Sequence, residues 1–172
     1  DYTPVYIITS ASIPSRFIAD HEIATDAVLR SIPVEYINSA RNNLHIAYQH
    51  TSHGTHVSYG VFGLPGFKAG DDVLFGITNN ASAAGKLDFY DYAIAGAEYC
   101  DLSTSDNAGW SSWLTRNQTY LDADANDSIN IVMWSWCDIT GHNVDGYIAS
   151  MQTLINEYGP GGSKIGTGLG KT

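Results

Sequence analysis

The residues best equipped for chemistry stand together in one stretch, LHIAYQHTSHGTHVSYG, residues 44–60. An alternating apolar run ends at His50, Thr51, Ser52, His53, Gly54, Thr55 and His56. Three histidines at three-residue spacing around a serine suit three kinds of chemistry. His50, His53 and His56 on one helical face would offer a zinc three imidazoles and an open water position. A histidine alone can act as a general base. A serine between a strand and a helix can act as a nucleophile, activated by a neighbouring base. Gly54 interrupts a helix through the histidines, and no HExxH pattern exists, because His21-Glu22 has no second histidine. The metal reading with His50, His53 and His56 is therefore the weaker alternative, and no other cofactor is expected.

The nucleophile reading needs a strand before the cluster and a helix after it. Residues 44–48 alternate Leu, Ile and Tyr with His and Ala, a strand pattern. Val57, Val61 and Leu64 follow at helical spacing until Pro65-Gly66. Ser52 then lies at the carboxyl end of a strand, where ligands bind in open α/β sheets. Backbone N–H groups at His53 and Gly54 would face an oxyanion, and Gly54 would let an acyl group approach.

The remaining pattern predicts the rest of an α/β domain with a mainly parallel sheet. Short apolar runs at 5–9 and 17–19 suit strands. Pro33 opens a helix with Val34, Ile37 and Ala40 on one face and Arg41 near its end. Residues 73–77, VLFGI, are strand-like, and DFYDYAIAGA after them is aromatic but ambiguous. Trp110, Trp113 and Leu114 mark an amphipathic helix over 107–121. Residues 128–137, SINIVMWSWC, form a strand apolar enough for burial on both faces. Asn143 opens a last helix with Val144, Ile148, Met151, Leu154 and Ile155 as one stripe, stopped by Gly159-Pro160. No repeat or linker divides the 172 residues, so a single domain over 1–172 is expected, with 1–16 as an N-terminal extension and 159–172 as a glycine-rich tail.

Two phosphate and calcium motifs fail on spacing. The tail SKIGTGLGKT has Ile165 where a P-loop needs glycine, and 122–127 has Asp where a calcium loop needs glycine. SHGTHVSYG is similar to the catalytic-histidine segment of subtilisin-like proteases, with His53 as base. That likeness covers about seven residues, and the aspartate and serine segments of such a protease stand nowhere in the chain.

A longer resemblance covers about residues 17–164. IPVEYINSARNNLHIAYQHTSHG, then GAEYCDL, then INIVMWSWC followed by a helix, resembles secreted bacterial proteins related to SGNH/GDSL hydrolases. It implies a flavodoxin-like three-layer α/β sandwich with Ser52 as nucleophile; within this chain the base would then have to be His50, His53 or His142. By the same likeness the strand end with Trp134 and Ser135 borders the pocket, and in that fold Asp138 lies at the same sheet edge as Ser52 and Gly54. SGNH enzymes place an oxyanion asparagine where this chain has Trp-Ser-Trp-Cys, and a catalytic histidine in a later segment. The Thr140–His142 turn follows the wrong strand to be its equivalent. The expectation is thus either an incomplete C-terminal part or a site that lost its base.

Composition sets the partners. Charged residues are 15%, hydrophobic ones 44%, and the net charge is −10 with 8 Lys+Arg. Such a chain repels phosphate backbones, so no nucleic-acid partner is expected. No run of ~18 apolar residues exists to span a bilayer. Cys100 and Cys137 fit no metal spacing and are either a disulfide or two buried thiols. The low lysine content and the sequons at Asn80, Asn117 and Asn126 favour an extracellular protein. Two functions follow: an esterase on acylated carbohydrate or small esters, or a non-catalytic surface or filament subunit that self-associates through a sheet edge.

Overall fold

The computed structural model describes residues 21, 23–94, 106–135 and 143–166, with backbone only for 106–112. The expected strands at 5–9 and 17–19 lie outside them, as do Cys100, Trp136, Cys137, Asp138, Thr140–His142 and the side chain of Trp110. The chain opens with α1, Asp26–Ser31, whose first free N–H groups are capped by the Thr25 hydroxyl accepting from Val28 N–H at 3.3 Å. Pro33 heads α2, Val34–Asn43, as its fixed φ favours. Then come β1 (His45–His50), α3 (Thr55–Gly63), α4 (Asp71–Leu74), β2 (Ile77–Asn79) and β3 (Leu87–Asp91). The chain ends with α5 (Asp106–Leu121), β4 (Ile131–Ser135) and α6 (Val144–Tyr158). None of the helices among the described residues is long and apolar enough to cross a membrane.

The four strands pair in parallel in the order β2-β3-β1-β4. Because side chains alternate across a strand, each face has its own cover. Ile46, Tyr48 and Phe89 on one face meet Val61 and Phe62 of α3. Ala47 on the other face meets Leu121, Ile129 and Tyr158, and Trp134 meets Trp113 of α5 and Tyr147 of α6. Helices on both faces of a parallel sheet make the three-layer α/β sandwich that the sequence predicts.

Four local expectations change. Val73 and Leu74 of the strand-like VLFGI are helical, and β2 starts only at Ile77. Gly70 at φ 88° turns the chain, and the Arg30 guanidinium holds Asp71 by two bonds of 2.8 and 2.9 Å, fixing a helical first turn there. The strand expected to be buried on both faces, β4, is half-buried throughout, because it is one of the two outer strands of the described sheet; β1 and β3 hold the centre. In α6 the buried residues are Tyr147 and Ser150, while Val144, Ile148 and Ile155 are exposed. Tyr147 packs 5.8 Å from the Trp113 ring, and this aromatic contact sets the rotation of the helix. In α3 it is Ser58, not Val57, that turns inward.

Two buried carboxylates tie the frame at its edges. The Arg30 bonds hold Asp71 below the usual carboxylate range. Burial would push Asp88 up, but hydrogen bonds from Ser82 and His45 and the Ala83 N–H bring it below the usual range. An unfolded carboxyl takes its proton near 3.8, so below that pH the unfolded chain binds more protons than the folded one. The stability from these groups is therefore present above pH ~4 and lost as pH falls through their depressed values. Urea midpoints are expected to be level from pH 7 to 5 and to fall below pH ~4, less steeply in Asp71→Asn. An identical acid limb in that variant would refute the Asp71 assignment.

Candidate active site at the carboxyl edge of the sheet

Parallel strands deliver their last residues to one edge. There His50 of β1 lies opposite Ser135 of β4, and Asp91 of β3 lies opposite Tyr48. From β1 the chain passes to β2 and β3 on one side, then to β4 on the other. The β1–β4 gap is thus the point where connections diverge, the usual place for a ligand in an open α/β sheet. Ser52 stands at this gap.

Ser52 leaves β1 in the left-handed region, φ 41°, and is exposed. A non-glycine residue there carries roughly 1–3 kcal/mol of strain that the surroundings must hold. A 3-10 turn, Ser52–Gly54, leads straight into α3. A positive-φ serine thus stands exposed between a strand end and a helix start. Gly54 is buried against the strand ends; a Cβ there would lie 2.3 Å from His50 Cβ and 3.0 Å from Ser135 Cβ. Its N–H donates to the Thr51 carbonyl at 2.9 Å, so in this structure it serves the turn rather than an oxyanion. Its carbonyl accepts from the Tyr48 hydroxyl at 2.9 Å, and Tyr48 shares a second bond with Ser135 Oγ at 2.7 Å. Burial pushes the Tyr48 hydroxyl above its ordinary value, which keeps it a donor.

His50 faces away from solvent, with a side chain 0% exposed. Its Nε2 lies 3.0 Å from Asp91 Oδ1 and 3.1 Å from Ser58 Oγ, and Ser58 donates to the same Asp91 oxygen at 2.7 Å. A carboxylate accepts only, so this network assigns the proton to Nε2. Ser, His and Asp are all present, yet this is not a relay: a relay puts serine and carboxylate on opposite ring nitrogens. Here both meet Nε2, and Nδ1 is buried with no hydrogen-bond partner among the described residues. Tyr48 stacks on one side of the imidazole at 4.7 Å, and Tyr92 lies at 4.3 Å. His50 is thereby a buried support for the Ser52 turn.

The expected site residues divide accordingly. Ser52, Gly54, Ser135 and His50 come together at one edge. His53 and His56 are exposed, with ring centroids 6.4 Å apart, while His50 is enclosed. The triplet therefore does not converge, and among the described residues no group of three His, Cys, Asp or Glu can hold a metal. Trp134, half-buried, turns to the opposite face, edge-on to Trp113 at 5.5 Å, its Nε1 donating to Asn117 Oδ1 at 3.1 Å. That bond also corrects the glycan expectation: Asn117 is 0% exposed and cannot carry a sugar in this fold. Asn126 is half-buried and donates to the Tyr120 carbonyl, whereas Asn80 is exposed at a turn with φ 52°.

Asp91, Ser58, Tyr48 and Tyr92 belong to this edge and were not singled out by sequence. The DFYDY stretch carried a signal, an acidic residue closing an aromatic strand, but its register against β1 is a tertiary fact. No family model, no curated protein and no solved structure matches the chain.

Proposed function

We propose that the chain is an SGNH-like serine hydrolase acting on esters, with Ser52 as its nucleophile. The observation that carries this reading is the backbone of Ser52, strained at φ 41° and exposed where β1 turns into a helix. Strain of this kind gathers at functional positions. In the reaction Ser52 Oγ attacks the ester carbonyl carbon, the alcohol leaves with a proton, and water then releases the acid from the acyl-serine. The enclosure of His50 leaves His53 as the exposed imidazole next in sequence to Ser52. His142, outside the described residues, is the other candidate base. Acylated carbohydrate and small esters are the substrates in view, in an extracellular setting.

A fluorophosphonate probe tests the proposal directly. Wild-type protein is expected to take one label, mapped by peptide mass spectrometry to Ser52, and to hydrolyse a small acetyl ester. Ser52→Ala is expected to lose both while unfolding at the same temperature; Ser58→Ala keeps the label. Labelling elsewhere, or none, would sink the idea. The half-buried apolar residues of β4, outermost in the described sheet, favour a second reading as a non-catalytic assembly subunit. Filaments by microscopy together with no labelling would select it.

A further inference from the structure

We propose that Tyr92 seats an uncharged ring of the ester substrate at the sheet edge that carries Ser52. This rests on the hydrolase reading, and it gives that site a feature by which it selects its substrate.

Among the described residues three non-glycines have positive φ, and each follows a strand at the carboxyl edge of the sheet: Ser52 after β1, Asn80 after β2 and Tyr92, at 50°, after β3; Tyr92 alone of the three is aromatic. A bulky aromatic residue is a genuine outlier in that region, where glycine or asparagine would sit with little strain. The two N–H groups that follow Tyr92 hold the chain there. The next N–H, of Ala93, donates to the Tyr48 carbonyl at 3.2 Å, and the Ile94 N–H donates to Gln49 Oε1 at 2.9 Å. The side chain that the strain presents is a ring packed 4.3 Å from His50, tilted by 39°, and still 45% exposed. Tyr48, His50 and Tyr92 thus form an aromatic ladder from the core to solvent, and the outer rung stands at the same edge as the Ser52 turn.

An exposed tyrosine face is electron-rich and attracts the C–H face of a sugar or the edge of an aryl ring. The Asp91 carboxylate beside it, 15% exposed, and the net charge of −10 disfavour an anionic ring. An uncharged pyranose and an uncharged aryl group share the chemistry required.

The test compares three acetyl esters: ethyl acetate without a ring, 4-nitrophenyl acetate, and an acetylated methyl xyloside. In Tyr92→Gly, kcat/KM for a ring ester relative to ethyl acetate is expected to fall about tenfold, mainly through KM. Tyr92→Phe, which keeps the ring, is expected to retain the wild-type ratio. The ring ester whose ratio moves identifies the source, aryl or sugar. Relief of the positive φ offsets part of the packing lost over His50, so the Tm of Tyr92→Gly is expected to fall only slightly. An unchanged ratio overturns the proposal, as does an equal loss on all three esters, the pattern of a mere lid over His50.

If wild type neither labels at Ser52 nor turns over any ester, the hydrolase reading fails separately. Titration of Ser52→Ala with methyl xyloside and with phenol, followed by NMR, then decides the ring site. Shifts that vanish in Ser52→Ala/Tyr92→Gly keep it, and no shifts overturn it.

Discussion

Gly54→Ala is expected to lower the unfolding free energy by about 3 kcal/mol and to abolish labelling at Ser52. Gly54 has φ −59° and ψ −23°, which any residue adopts, so alanine brings no backbone strain. On propensity alone the change would help a helix start. Space reverses the sign. The added methyl would meet His50 Cβ at 2.3 Å, His50 Cγ at 2.8 Å and Ser135 Cβ at 3.0 Å. These atoms sit at the roots of side chains, so they move only with their strands. His50 is held by Asp91 and Ser58 and packed between Tyr48 and Tyr92, which removes the other escape. The turn must lift, and Ser52 moves with it. At roughly 2–4 °C per kcal/mol for a chain of this size, calorimetry should show a Tm drop of about 6–12 °C. A Gly54→Ala protein with wild-type Tm would mean that the turn swings clear without loss.

The second large effect falls on Asp91, a residue with no place in the chemistry itself. Its Oδ1 accepts from the buried His50 and from the buried Ser58. In Asp91→Ala both donors lose that acceptor. They are 3.1 Å apart and satisfy one another in part, so about 2–3 kcal/mol is expected, not the full sum of two orphaned groups. Asp91→Asn keeps one acceptor oxygen and is expected to lose about half as much. In a double-mutant cycle Ser58→Ala should cost clearly less on the Asp91→Ala background than on wild type, because its acceptor is already gone. Urea unfolding of the four proteins measures this. Strictly additive losses would show that Ser58 and Asp91 act independently, and the network would then not be the support assigned to it.

Both effects show where sequence patterns stop being legible. The helix after Pro33, the strand ending at His50, the helix after Thr55 and the helix opened by Asn143 all follow from local rules of φ, period and capping. The strands' parallel pairing follows from their alternation with helices. The β4 residues are as apolar as a central strand, yet they lie outermost in the described sheet. Periodicity states how many faces a segment can bury, not which neighbours will cover them. In α6 the predicted stripe is real as a pattern, but Tyr147 packs against Trp113 and turns Val144, Ile148 and Ile155 to solvent.

At the site, the sequence by itself determined that a serine and three histidines gather where a strand gives way to a helix, with glycine two residues after the serine. Those are short-range facts, carried by residues adjacent in the chain. Only the tertiary structure decided that His50 turns inward while His53 and His56 stay outside. Asp91 is 41 residues from His50 and Ser135 is 87 from Tyr48, and only the strand register brings each pair into hydrogen-bond contact. The same holds for Gly54, whose missing Cβ matters because β4 and the His50 side chain occupy that space. A side chain's direction and company are set by the lowest-energy packing of the whole sheet, and no stretch of sequence carries that information alone.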